Sequence, residues 1–206
     1  AAEYLAKFGY MNSPRGALGL ATMDAVSLFQ EFAGLPETGH IDEATIAKMK
    51  SPRCGLPEGK LALATEWLEA RWRRKSLGYF IESYVPGISH DDQDAIIAQA
   101  FNSWSDVADV KFTQVISKQG ADIVCSTGKG RDFGFDSRGG VLAWCELPNG
   151  ADGQLLMRFD ADEDWSKDRT HGILMVAVAC HEFGHALGLE HSRVTSALMA
   201  PFYSPA

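Results

Sequence analysis

The residues best equipped for chemistry are His181-Glu182-Phe183-Gly184-His185-Ala186-Leu187-Gly188-Leu189-Glu190-His191, which read H-E-x-x-H-x-x-G-x-x-H. His181 and His185 stand four apart, so on an α-helix their imidazoles leave one face a turn apart and can grip the same ion. Neutral imidazole suits zinc. Gly188 can take a positive φ at little cost, so it can end the helix and turn the chain until His191 supplies a third nitrogen. Three protein ligands leave a fourth position open, and Glu182, beside the first ligand, is placed to be the general base that takes a proton from water there. A core helix with solvent-facing histidines predicts neither these spacings nor the glycine.

The elements that must position this stretch are legible in outline. A chain of 206 residues with 46% hydrophobic content is long enough for one large domain and a small one. Its net charge of −8 argues against a nucleic-acid partner. The longest strongly apolar run, Ile173 to Cys180, is too short to span a bilayer. No secretory signal is visible, and Ala1 is compatible with a removed signal peptide or with a boundary. The first fifty residues read as three short helices. Tyr4, Leu5 and Phe8 face inward on the first; Ala25, Val26, Leu28, Phe29 and Phe32 do so on the second, with Asp24 as its cap; Ile46 and Met49 do so on the third, after Asp42. Pro52 to Gly59 is extended, with Cys54 in its middle, and thiolate is a strong fourth ligand for zinc.

Past a linker at 60–66 the pattern becomes α/β. Strands are expected at Leu77 to Glu82, Val110 to Val115, Ala121 to Cys125, Val141 to Cys145 and Leu155 to Phe159. An amphipathic helix follows a Ser89 cap, burying Ile96, Ile97, Ala100, Phe101 and Trp104, and the histidine helix begins near Gly172. Arg71-Trp72-Arg73-Arg74-Lys75 fits both a basic processing site and a solvated turn, the turn being favoured.

The histidine stretch, Ser192 after it, Ala197-Leu198-Met199 and the Pro52 to Gly59 segment together make the chain resemble the matrix metalloproteinases, the matrixin branch of the metzincins, in proenzyme form. The resemblance covers nearly the whole chain. It implies an α+β fold: a three-helix prodomain at 1–59 ending in a cysteine switch, then a metzincin catalytic domain at 60–206 with a twisted, mostly parallel five-stranded sheet and two long helices. It implies a secreted, extracellular, monomeric zymogen of a zinc endopeptidase that cuts proteins or peptides once its prodomain is removed. By the same resemblance Cys54 closes the zinc site, Arg53 holds the segment by pairing with an acidic side chain, and Met199 forms the floor under the ligands. Leu142 and Ala143 would lie on the edge strand that receives substrate, and Pro201 and Tyr203 on the wall of the pocket after the scissile bond.

Asp136, Asp160 and Glu163, with carbonyls of Ser137, Gly139 and Val141, correspond to the family's structural calcium site, an oxygen-only set suited to a hard cation. The positions of the family's second, structural zinc hold Lys129, Arg131, Trp144 and Arg158, none of them a zinc ligand, so one zinc is expected, with the arginines pairing to Asp132 or other loop carboxylates. Cys125 and Cys145 are open to two readings, a disulfide clamping that loop or two buried thiols; Cys180 reads as a small core residue. Family catalytic domains continue past the Met-turn into another helix, whereas these residues stop at Ala206 and hold no propeller domain. The alternative from another class is a non-catalytic binding protein whose first unit docks a polymer such as peptidoglycan.

Overall fold

The computed structural model describes residues 1–11, 20–58, 72–148 and 153–204; the expected linker at 60–66 lies outside them. Three helices, α1 (Ala2–Lys7), α2 (Leu20–Phe32) and α3 (Glu43–Met49), form the N-terminal unit. Asp42 caps α3 by accepting from the Thr45 amide at 2.8 Å. Asp24 lies inside α2 rather than at its start, and Ile46 is 41% exposed rather than inward. The buried residue of α3 is Thr45, whose hydroxyl meets the Gln30 amide at 2.8 Å. The buried Gln30 amide also bonds Thr38, Gly39 and the His40 carbonyl, and so ties α2 to the loop before α3.

The second unit is built on β2 (Ser76–Ile81), β3 (Lys111–Gln114), β4 (Ile123–Gly128), β5 (Val141–Cys145) and β6 (Leu155–Asp160), the five strands expected. A sixth, β1 (Arg53–Cys54), is added by the N-terminal segment, and the order is β1-β5-β6-β4-β2-β3. All neighbours are parallel except β5 with β6. A short pair, β7 (Trp165–Ser166) with β8 (Ile173–Leu174), delays the last helix, α5 (Met175–Ala186), to three residues beyond Gly172. Helix α4 (His90–Ser105) is capped by Ser89, which accepts from the Asp92 amide.

Helices α4 and α5 pack on the sheet through one core. The Phe101 and Phe183 rings stack with centroids 3.6 Å apart, and the Trp104 indole donates to the Cys180 carbonyl at 2.8 Å. Burying a side chain such as Phe101 fully is worth about 2 kcal/mol, so this contact fixes where α5 lies on α4. Trp72 donates to the Ala186 carbonyl at 2.7 Å, while Arg73, Arg74 and Lys75 are exposed ahead of β2, Arg74 pairing with Asp122 at the surface.

The sheet order decides the fate of Cys125 and Cys145. Each is registered opposite Met157, Cys125 on β4 and Cys145 on β5. They therefore stand two strands apart, about 10 Å, too far for a disulfide, and both are free buried thiols. Cys180 is half-buried rather than fully in the core. The loop before β5 is held in a different way from the one expected. Arg158 pairs with no carboxylate among the described residues. Its guanidinium lies 4.9 Å from the Phe133 ring and 5.6 Å from Trp144, while the Trp144 indole donates to the Phe133 carbonyl. Lys129 pairs with Asp162.

Candidate metal centre

Helix α5 carries His181 and His185 one turn apart, both buried. It ends at Leu187, and Gly188, at φ 93°, reverses the chain so that His191 returns to the same point. The three Nε2 atoms lie 3.1–3.2 Å from one another. The Nδ1 atoms of His181 and His185 face the Leu198 and Leu189 carbonyls at 2.8 and 2.7 Å, so each donates there and turns its lone pair inward. Burial lowers all three pKa values, His181 to about 4, which keeps the imidazoles neutral. Three acceptor nitrogens converging without a donor between them fit a cation.

Cys54 completes the group. Its sulfur is 3.5 Å from His185 Nε2, and the ligand atoms of Cys54, His181, His185 and His191 all lie within 4.8 Å of one another. Two nitrogens on a helix, one on a turn and one thiol make a donor set suited to tetrahedral zinc. Burial first, and the Glu182 carboxyl second, push the Cys54 thiol well above its ordinary value, an effect that a bound cation would reverse.

Glu182 is fully buried beside Cys54, its carboxyl oxygens without an aligned hydrogen bond among the described residues, and burial pushes its pKa up to about 8. Below the group, Met199 packs against α5 at Gly184, where a Cβ would stand 2.3 Å from the Met199 sulfur. Gly184 is thus a positional requirement of the site: a side chain there would displace the methionine under the histidines.

The segment that carries Cys54 runs between two walls. On one side Arg53 N donates to the Gly140 carbonyl at 2.9 Å and Gly55 N to Ala143 at 2.7 Å, so β1 extends the sheet along β5. On the other, Cys54 N donates to Pro201 and Tyr203 N to Pro52, each at 2.9 Å. Leu142, Pro201 and Tyr203 line a cavity of about 350 Å³ with Val178, His181 and Glu182, while Ala143, the next residue of β5, is not among its lining residues.

Arg53, 1% exposed, anchors the segment. It pairs with Glu58, donates to the Tyr4 hydroxyl at 2.7 Å and to the Cys54 carbonyl at 2.9 Å, and lies 3.5 Å from the Phe8 ring centroid and 5.0 Å from Phe202. Sequence reasoning left the acidic partner unnamed and missed Tyr4, Phe8 and Phe202. The available signal was that Glu58 is the one acidic residue between Pro52 and Gly59.

Asp136, Asp160 and Glu163 face the loop before β5. Asp136 accepts from the Val141 amide at 2.8 Å and Glu163 from the Gly139 amide, so two of the carbonyl donors expected there contribute their N–H groups to the carboxylates. Ser137 is held at φ 85° and Gly139 at φ 90°. Asp160 is buried with Oδ2 unpartnered among the described residues, and burial raises its pKa and that of Glu163. This orphaned oxygen fits a hard cation, though the three carboxylates are less tightly gathered than the histidine group.

The comparisons agree with the geometry. The pattern of the matrixin family matches residues 71–206, and that of a putative peptidoglycan binding domain matches residues 1–49. Similar proteins include "Matrix metalloproteinase-C" of Caenorhabditis elegans, 38% identical over 98% of this chain and 38% of its own length, and "Matrix metalloproteinase-19" of Mus musculus, 39% identical over 98% and 39%. "Macrophage metalloelastase" of Oryctolagus cuniculus is 38% identical over 87% of this chain and 39% of its own length. The chain thus spans about two fifths of these curated relatives. With two histidines on α5, a third brought back after its turn, and the family's pattern over the unit that carries them, the chain belongs to the matrixin family of metallopeptidases.

Proposed function

We propose that this chain is the latent form of a zinc endopeptidase, with a prodomain at 1–59 and a catalytic domain at 60–206. The observation that carries the proposal is that the fourth member of the metal-binding group, Cys54, comes from the N-terminal segment and lies in the cleft. His181, His185 and His191 would hold zinc in both states, and Cys54 in the latent state alone. Zinc held there would supply Lewis-acid polarisation of the scissile carbonyl and acidify water beside it.

The chain's own residues would do the rest. Once the prosegment has left, an extended peptide can take the sheet position of β1, bonding the Gly140 and Ala143 carbonyls of the β5 edge and facing Pro201 and Tyr203 on the other wall. The side chain following the scissile bond would enter the cavity beside Leu142 and Tyr203. Glu182 would take a proton from the attacking water and pass it to the leaving amine as the C–N bond breaks. Asp136, Asp160 and Glu163, with the Ser137, Gly139 and Val141 backbone, would hold a structural calcium ion. Protein substrates, an extracellular location and a monomeric state belong to the same proposal. Among the described residues no helix is long and apolar enough to cross a membrane.

A purely binding role is not favoured: the N-terminal unit is spent on holding the prosegment, and Glu182 and the three histidines stand together. The test is incubation of the zinc-loaded chain with a thiol-reactive mercurial and a quenched peptide. Cleavage of the chain between residues 59 and 72 together with new peptidase activity is expected. A zinc-loaded chain that stays inert would overturn the proposal.

A further inference from the structure

The three histidines are not supported alike. His181 and His185 are oriented by backbone carbonyls of Leu198 and Leu189, both supplied by the catalytic unit. His191 Nδ1 has no such partner among the described residues. Its polar neighbour is Glu58 Oε1, 3.2 Å away, in a geometry closer to an ion contact than to an aligned hydrogen bond, with both side chains essentially excluded from solvent. The same oxygen meets the Arg53 guanidinium, so Glu58 is held from one side by the anchor of the prosegment and faces the third histidine on the other.

We propose that Glu58 is a positioning residue for His191: in the latent form its carboxylate fixes the Nδ1–H tautomer and ring orientation of the third ligand, and this support departs with the prosegment. A carboxylate behind a ligating imidazole raises its basicity and holds its angle, and losing such a partner typically weakens metal binding by about 10- to 100-fold. The prosegment would then bring two groups to the centre, the Cys54 thiol as a ligand and the Glu58 carboxylate behind another ligand. Its removal would open a coordination position and loosen His191 in a single event. The inference rests on the zinc reading above and concerns residues that no sequence motif connects, since Glu58 and His191 lie 133 positions apart.

The test uses the full-length zinc-loaded chain and observes each imidazole by proton–nitrogen correlation. In the wild type, the His191 Nδ1–H signal should lie downfield of those of His181 and His185, because its acceptor is charged. Glu58→Ala should move the His191 signal upfield and leave the other two in place, with zinc release to a competing chelator about tenfold faster. Glu58→Gln, of the same size and still an acceptor, should move it partway, and it carries the test should the alanine variant fail to fold. A His191 signal that does not respond to either variant while His181 and His185 report a folded site would overturn the inference and leave the zinc reading standing. A wild-type chain that binds no zinc would overturn both.

Discussion

Arg53→Ala is the substitution whose effect can be worked most fully from the structure. The guanidinium is 1% exposed and is the charged partner of a Glu58 carboxylate with no exposed surface in its side chain. Removing one member of a buried pair typically costs about 3–5 kcal/mol, because the other charge is left in a poorly polarisable place. Glu58 has one escape, which is to take up a proton; from an ordinary value of 4.5 this costs about 3.4 kcal/mol at pH 7, at about 1.36 kcal/mol per unit. The cost therefore settles near 3 kcal/mol. It falls on the state in which the prosegment is docked, because an undocked segment exposes Glu58 to water. At about 1.4 kcal/mol per tenfold, the open fraction should rise by roughly two orders of magnitude. Alkylation of the zinc-loaded chain followed by peptide mass analysis measures this directly, since Cys54 reacts only when the segment lifts. Cys125 and Cys145, both buried in the second unit, are internal controls for global unfolding. The expectation is a Cys54 rate about 100-fold faster with unchanged rates at the two core thiols. An unchanged Cys54 rate, or equal acceleration at all three, would refute the reasoning.

The remaining expectations are narrower. Glu182→Gln keeps the shape of the side chain and removes the base, so the activated protein should retain zinc by metal analysis while peptide turnover falls by about 10²- to 10⁴-fold. Arg193→Ala removes an ion pair with Glu31 in which both side chains are about two-fifths exposed, so the Cys54 alkylation rate should change less than about threefold, in contrast to Arg53. Metal counting on the purified chain should give one zinc, because Lys129, Arg131, Trp144 and Arg158 offer no second site; two zinc ions would contradict the Arg158 stacking on Phe133 and Trp144 as the support of that loop. Calcium should raise the melting temperature of the wild type but not of Asp160→Asn, in which the orphaned oxygen loses its charge.

What the sequence reveals and what it hides follow one division. The H-E-x-x-H-x-x-G-x-x-H spacing is local, and helix geometry turns local spacing into a site, so the histidine cluster is legible in the sequence itself. The five strands of the second unit were equally legible, their ends displaced by no more than three residues. Strand order was not. Cys125 and Cys145 both close predicted strands, yet β6 lies between β4 and β5 and places Met157 between the thiols. Ile46 fits the inward pattern of α3 by period, but the helix turns Thr45 inward instead, to the buried Gln30 amide. Glu58 is the clearest case: nothing in its local pattern says that it faces His191, because that contact exists only when one unit docks on the other.

The claim on which everything else depends is that the N-terminal segment closes the metal centre with its own thiol. X-ray absorption on the zinc-loaded, uncleaved chain reads the ligand set directly. The account predicts three nitrogen scatterers and one sulfur, with the sulfur replaced by oxygen after the prosegment is removed. A sulfur-free zinc shell in the uncleaved chain would contradict it.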